Sequence, residues 1–364
     1  MLVIINNNIQ FCANYNKITD NNFNNNFMFL LVCFFTLVLG LYIGFPIAII
    51  LFPKILSFLV FMNSVKNPRC RSQLHDPKKE YDLDGVDNAY IEASDGNYIG
   101  LWKMAPFRHN ANCAPKVILY CHGNSFHRGH GHRLKLYEVL RGLGYWVVTF
   151  DYRGYGDSTG TVTEESAVQD VLTAYKFMDE EFPDACKVVI WAHSLGTSLA
   201  SKAVCEMQNK KFRRQPDALV LEAPFDSIKG IMDNYPISKF LLSLYPSVHI
   251  RRKIDETMAA NGMHLNTRGY LLDVKTPVMI LHAEDDNRVL FKLGYKLYKY
   301  LKNKFQDRVD VKPRFVKFVR FQEKHHLGHN CIYSHCGVCT LLQEFVEECC
   351  NKECSQPKFR EIEM

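Results

Sequence analysis

Residues 188–196 read Val188-Val189-Ile190-Trp191-Ala192-His193-Ser194-Leu195-Gly196, an apolar run that ends in a small-x-Ser-x-small turn and leads into a helix-forming stretch. The pattern predicts a serine on a sharp strand-to-helix elbow. Such a turn brings strand and helix backbones close together, which requires small residues two before and two after the serine, and it holds the serine in a strained conformation. The Leu195 N–H would then stand at a helix N-terminus, aimed at any negative charge developing beside Ser194. Ala192 stands where the first small residue of such elbows is usually glycine, adding one methyl group to a crowded turn.

Working outward, strand-like runs alternate with helix-like ones. The strand candidates are 89–93, 98–102, 116–120, 146–150, 187–191, 218–221, 277–281 and 315–319. Most of the middle ones are continuously apolar, as strands buried on both faces of a parallel sheet must be. Residues 132–143, 164–181 and 195–208 instead place apolar residues three and four apart, the spacing of a helix with one buried face. The fold class is therefore α/β, a doubly wound, mostly parallel sheet with helices on both faces. The alternation breaks at about 225–274, where the apolar stretch 237–245 and the triplet Arg251-Arg252-Lys253 interrupt it. This insertion is either a small helical cap over the site or part of the outer helical layer.

A nucleophilic serine needs a base within hydrogen-bond reach and an acid to orient that base. On a hydrolase sheet with this elbow the chain order is serine, acid, histidine. After the strand ending at Leu281 come Glu284, Asp285 and Asp286; Asp286 is the candidate acid because it stands three residues before Val289, and Asp285 is the alternative. After the last strand come His325, His326 and His329, of which His329, preceded by the flexible Gly328, is the candidate base. The loop Cys121-His122-Gly123-Asn124-Ser125 offers the Asn124 N–H as a second oxyanion donor beside that of Leu195.

The chain has 364 residues and a net charge of +6, with 44 basic and 38 acidic residues spread along it, so there is no basic stripe of the kind nucleic acid requires. Residues 1–26 are Asn-rich and expected to be a disordered tail. Residues 27–52 carry no charge until Lys54, which predicts one transmembrane helix, and the whole stretch 27–62 is expected to be a transmembrane and interfacial segment. A linker follows over 63–79, the catalytic domain over 80–350, and a C-terminal tail over 351–364. Only Lys17 precedes the apolar run, whereas Lys54, Lys66, Arg69, Arg71, Lys78 and Lys79 follow it, which orients the large domain toward the cytosol. Thirteen cysteines, six of them late in the chain, lack the second well-spaced pair that a zinc site needs, so neither a metal nor a cofactor is expected.

The His122-Gly123-Asn124 loop, the stretch Thr149-Phe150-Asp151-Tyr152-Arg153-Gly154-Tyr155-Gly156-Asp157-Ser158, the elbow 193–197, the turn 281–286 and His329-Asn330-Cys331-Ile332-Tyr333 resemble, as a set, one family. It is the lysophosphatidylserine and monoacylglycerol lipases of the endoplasmic reticulum, within the α/β-hydrolase domain-containing proteins. The resemblance covers about 80–348 and the preceding apolar segment. It implies an α/β-hydrolase fold, Ser194 as nucleophile, Asp286 as acid, His329 as base, single-chain glycerolipids or lysophospholipids as substrates, and a lumenal active site, opposite to what the basic residues indicate. Asn287-Arg288 departs from the family's more apolar turn and would bring a guanidinium near Asp286. Arg251, Arg252 and Lys253 are candidates for an anionic head group. The competing expectations are a protein S-acyl thioesterase on the cytosolic face and an inactive hydrolase-fold binding protein.

Overall fold

The computed structural model describes residues 27–40, 42, 44, 47, 52, 60–61, 70–108, 113–234, 248–306, 315–350 and 358–364. Nine strands among them form one sheet, β1 (Val86–Glu92), β2 (Tyr98–Met104), β3 (Lys116–Cys121), β4 (Tyr145–Phe150), β5 (Lys187–His193), β6 (Ala218–Glu222), β7 (Val278–Ala283), β8 (Phe315–Phe321) and β9 (Lys358–Glu363). Their order is β1-β2-β4-β3-β5-β6-β7-β8-β9. β1 and β2 pair antiparallel, as do β2 and β4, and every other pair is parallel.

Successive side chains of a strand point to opposite faces, and β3 shows how this builds two cores. Val117, Leu119 and Cys121 enter one apolar cluster, while Ile118 and Tyr120 enter the other. Helices that cover the sheet are α1 (Gly131–Gly142), α2 (Glu164–Glu181), α3 (Leu195–Asn209), α4 (Val248–Ala260), α5 (Thr267–Leu271), α6 (Phe291–Gln306) and α7 (Val338–Cys350). Leu136, Tyr137 and Leu140 of α1 and Leu341, Leu342 and Phe345 of α7 fill the core on one face. α2, α3 and α6 fill the other. The helix α2 is fixed at its start by a reciprocal cap, in which Thr163 Oγ1 accepts the Ser166 N–H and Ser166 Oγ accepts the Thr163 N–H.

Two expectations meet a different outcome, and two others fall largely on residues outside those described. Residues 358–363, which the sequence leaves in a tail, are β9 and pair in register with β8. No helix among the described residues is long and apolar enough to cross a membrane. Residues 27–40 are helical, but most of 41–59 lies outside the described residues, so the expected transmembrane helix is not part of this structure. Of the piece expected to be interfacial, Val60 and Phe61 are described, and Phe61 is only 1% exposed within the main core. The apolar stretch 237–245 of the expected cap also lies outside the described residues.

Candidate active site

The carboxyl ends of the parallel strands converge on Ser194. This residue has φ 51° and ψ −117°, a left-handed conformation that a side chain adopts only under constraint. The constraint is visible: the Ser194 N–H donates to the Glu222 carbonyl at 2.9 Å, and Thr197 Oγ1 donates back to the Ser194 carbonyl at 2.6 Å. The small residues are equally accounted for. A Cβ on Gly196 would collide with the backbone carbonyl oxygens of Cys121 and His122, because α3 leaves the elbow directly against the end of β3. A Cβ on Gly123 would stand 2.8 Å from His193 Nδ1 and 3.1 Å from Ser194 Cβ, so the loop after β3 also touches the elbow. The methyl of Ala192 is fully buried at the end of β5.

Backbone atoms cannot yield as a flexible side chain can. Gly196→Ala is therefore expected to destabilise the fold by about 1–3 kcal/mol through overpacking. Gly131→Ala, where nothing stands within 4 Å of the added methyl, is the matched control and is expected to be neutral or slightly stabilising. Denaturant midpoints of the two variants measure the contrast.

Asp286 and His329 meet across the ends of β7 and β8. Asp286 Oδ2 accepts a hydrogen bond from His329 Nδ1 at 2.7 Å, and its Oδ1 accepts the Arg288 and Val289 N–H groups, each at 2.9 Å. His282 Nε2 lies 3.4 Å from the same Oδ2 and donates to the Val289 carbonyl at 2.8 Å. Burial opposes ionisation of Asp286, but hydrogen bonds from His282 and His329 outweigh it and hold the carboxyl well below the usual range. The Arg288 side chain is exposed, and the groups that chiefly lower the Asp286 carboxyl are His282 and His329 rather than the guanidinium the sequence suggested. Asp285 instead accepts the Gly328 N–H at 2.9 Å, which ties down the loop one residue before His329.

With its Nδ1 turned to Asp286, His329 has Nε2 as the nitrogen that can take a proton. The ring is seated by the elbow itself: His193 Nε2 donates to the His329 carbonyl at 2.9 Å, and the two ring centroids are 4.8 Å apart. His193 is buried, and burial keeps its imidazole neutral. Of the other histidines, His326 is exposed and His325 packs its ring on His335.

Asn124 has its side chain fully engaged. Its Nδ2 donates to the Val60 carbonyl at 2.7 Å, and its Oδ1 accepts from the Ser125 N–H at 2.9 Å and the Tyr155 hydroxyl at 3.0 Å. What Asn124 can offer a reacting oxygen is its backbone N–H. Leu195 is the first residue of α3, so its N–H has no carbonyl one turn back to accept it.

Sequence reading does not reach Glu222. This carboxyl ends β6, is 3% exposed, and accepts Trp191 Nε1–H at 2.8 Å; burial, opposed by that bond and reinforced by the nearby charge of Asp286, raises its pKa from 4.5 to about 7. Its only sequence signal is an acid at the end of the apolar run 218–221. The folded protein retains this proton over a range where the unfolded chain has lost it, so stability falls as pH rises from about 4.5 to 7 and the deficit is complete above that. Glu222→Gln removes the titration and is expected to flatten the melting profile, gaining on wild type by about 1–3 kcal/mol at pH 8 but little at pH 5.

Arg252 and Lys253, expected to meet an anionic head group, lie exposed on α4, where Glu256 accepts from Arg252 Nε at 2.9 Å and stands 3.7 Å from Lys253 Nζ. The Arg251 side chain lies outside the described residues.

A strained serine at the start of a helix after the fifth strand, with a histidine–aspartate pair from the last two parallel loops, defines a serine ester hydrolase on an α/β-hydrolase sheet. A family model described as serine aminopeptidase, S33 matches residues 112–269. The Pyrococcus furiosus esterase Pf2001 superposes with a TM-score of 0.54 over 74% of this chain and 92% of its own, at 16% identity, which speaks to the fold. Sequence relatives are more specific. The lysophosphatidylserine lipase ABHD12 of Danio rerio is 33% identical over 85% of this chain and 81% of its own length, and that of Rattus norvegicus is 35% identical over 85% and 78%. The chain belongs to this lysophosphatidylserine lipase family.

Proposed function

We propose that the protein hydrolyses the acyl ester of lysophosphatidylserine-like lysophospholipids and of monoacylglycerols, through an acyl-enzyme on Ser194. The observation that carries this reading is the 2.7 Å Asp286–His329 pair seated on the residue before the strained Ser194, in a chain of this family. His329 Nε2 takes the Ser194 Oγ proton as that oxygen attacks the ester carbonyl. Asp286 stabilises the imidazolium, and the Leu195 and Asn124 N–H groups receive the oxyanion. The tetrahedral intermediate collapses with loss of the glycerol oxygen, which takes its proton from His329. Water, deprotonated by His329, then attacks the acyl-serine and releases the fatty acid. Ile254, Met258 and Met263 form a small buried apolar cluster of their own beside Val60, whose carbonyl meets Asn124.

The exposed apolar side chains of 27–40, among them Phe27, Phe29, Leu30, Phe34 and Phe35, support attachment to a membrane through the N-terminal segment. The endoplasmic reticulum is the compartment that the family resemblance favours, and protease protection of a C-terminal tag in sealed microsomes decides the side. For the substrate, the test is product release by purified full-length protein in mixed micelles. Lysophosphatidylserine and monoacylglycerol are expected to yield free fatty acid. Turnover of an S-acylated peptide with neither lipid cleaved would replace this reading by the thioesterase.

A further inference from the structure

We infer that the segment at Val60–Phe61, between the N-terminal apolar stretch and the hydrolase domain, is a positioning strap for the oxyanion loop. The juxtaposition is specific. Val60 presents its carbonyl to Asn124 Nδ2 at 2.7 Å, and Phe61 presents its own to the Tyr155 hydroxyl, which also stands 3.0 Å from Asn124 Oδ1. The single Tyr155 hydroxyl proton is shared between the Phe61 carbonyl and Asn124 Oδ1, so two consecutive carbonyls of a distant segment hold one side chain of the loop, one directly and one through that tyrosine. The Phe61 side chain is buried in the main core, and Val60 packs on the cluster of Ile254, Met258 and Met263 together with Ile228 and Met232. Tyr155 is itself 2% exposed, and its ring stands 5.3 Å from that of His122.

The loop needs such a clamp. Gly123 has no side chain to hold it, Ser125 and Phe126 both have left-handed φ, at 67° and 59°, and Asn124 between these residues carries the N–H assigned to the oxyanion. A donor stabilises the transition state only if it is fixed before charge develops, because reorienting it during reaction costs what its hydrogen bond gains. Asn124 is fixed through its side chain, and three of the four contacts that hold it, directly or through Tyr155, come from outside the loop. The strap therefore acts on catalysis through Asn124, not on substrate binding. It also carries a consequence: residues 60–61 are part of the site's wall, so the hydrolase domain is not separable from them without loss of rate.

This inference rests on the proposed oxyanion role of Asn124, and the test separates the two. Full-length wild type, Tyr155→Phe and Phe61→Ala are compared on an ester and on its thionoester, whose sulfur fits an oxyanion site poorly. Wild type is expected to favour the ester strongly. Both variants are expected to lose about 10-fold or more in kcat with KM within about 3-fold, and to lose much of the preference for the ester. Phe61→Ala removes core packing and is read only at temperatures well below its melting transition, whereas Tyr155→Phe keeps the ring and changes only the hydroxyl. If wild type shows no ester preference, the oxyanion assignment fails and the strap with it. If wild type shows it and both variants keep it, with kcat unchanged and only the melting temperature lowered, the segment is structural and the strap is overturned.

Discussion

Ser194→Ala is expected to abolish turnover, lowering kcat by about 10⁶-fold, and to remove all labelling by a fluorophosphonate probe. In the proposed mechanism the serine oxygen is the atom that bonds to the acyl carbon, so its removal leaves the reaction without its nucleophile. The fold should survive. Ser194 is held by its backbone, through its N–H to Glu222 and its carbonyl to Thr197, and alanine leaves both bonds intact. The left-handed φ of 51° disfavours serine and alanine alike. Ser194→Ala should therefore melt close to wild type, which distinguishes lost chemistry from lost structure. A melting temperature lowered by many degrees would mean that the hydroxyl has a structural partner instead.

Asp286→Asn is expected to cost about 10⁴-fold in kcat, and the reason lies in how many donors the carboxylate serves. Oδ1 accepts two backbone N–H groups and Oδ2 accepts His329 Nδ1. An amide has one acceptor oxygen. If that oxygen stays on the Arg288 and Val289 N–H groups, the NH₂ faces His329 and drives the imidazole proton to Nε2, where it blocks removal of the Ser194 proton. If the amide flips instead, the turn after β7 loses its cap and the imidazolium loses its counter-charge. Either way kcat falls while KM, set by contacts elsewhere, changes little. Because the Asp286 carboxyl is held low in the folded protein, the stability it contributes is present above the ordinary carboxylate pKa and is lost progressively as pH falls from there toward the depressed folded-state pKa. The Asn variant is thus expected to narrow its stability difference from wild type as pH falls below about 4. Asp285→Asn, which affects only the Gly328 tether, should show a much smaller loss of rate.

How much of this was legible in the chain depends on whether a feature is local. The eight strands from β1 to β8 announce themselves because each holds a short apolar or alternating run, and in β3 to β7 burial on both sides leaves few polar residues to blur it. β9 does not, since Lys358-Phe359-Arg360-Glu361-Ile362-Glu363 is an edge strand rich in charge, with Phe359 packing on one core and Ile362 on the other. The elbow and the serine, acid, histidine order are local patterns repeated along the sequence. His193, Glu222 and Tyr155 are not. Their partners lie 136 residues away for the His193–His329 bond and 94 for Tyr155 and Phe61, and only folding brings them together. The stretch 149–158 that carries much of the family resemblance proves to be largely architectural, with Asp151 and Asp157 binding the buried Arg128 and Arg153 binding Asp170. Basic residues 252 and 253 form a charge cluster legible in the sequence, but their pairing with Glu256 on the same helix is seen only in the structure.

The most direct measurement is rapid acid quench of the full-length protein during turnover of lysophosphatidylserine, followed by mass spectrometry of the peptides. The account predicts a fatty-acyl ester on the peptide containing Ser194, absent from Ser194→Ala and from His329→Ala, which lacks the base for acylation as well as for deacylation. Release of fatty acid with the acyl group on another residue, or with no covalent intermediate on Ser194 at any time, would contradict it.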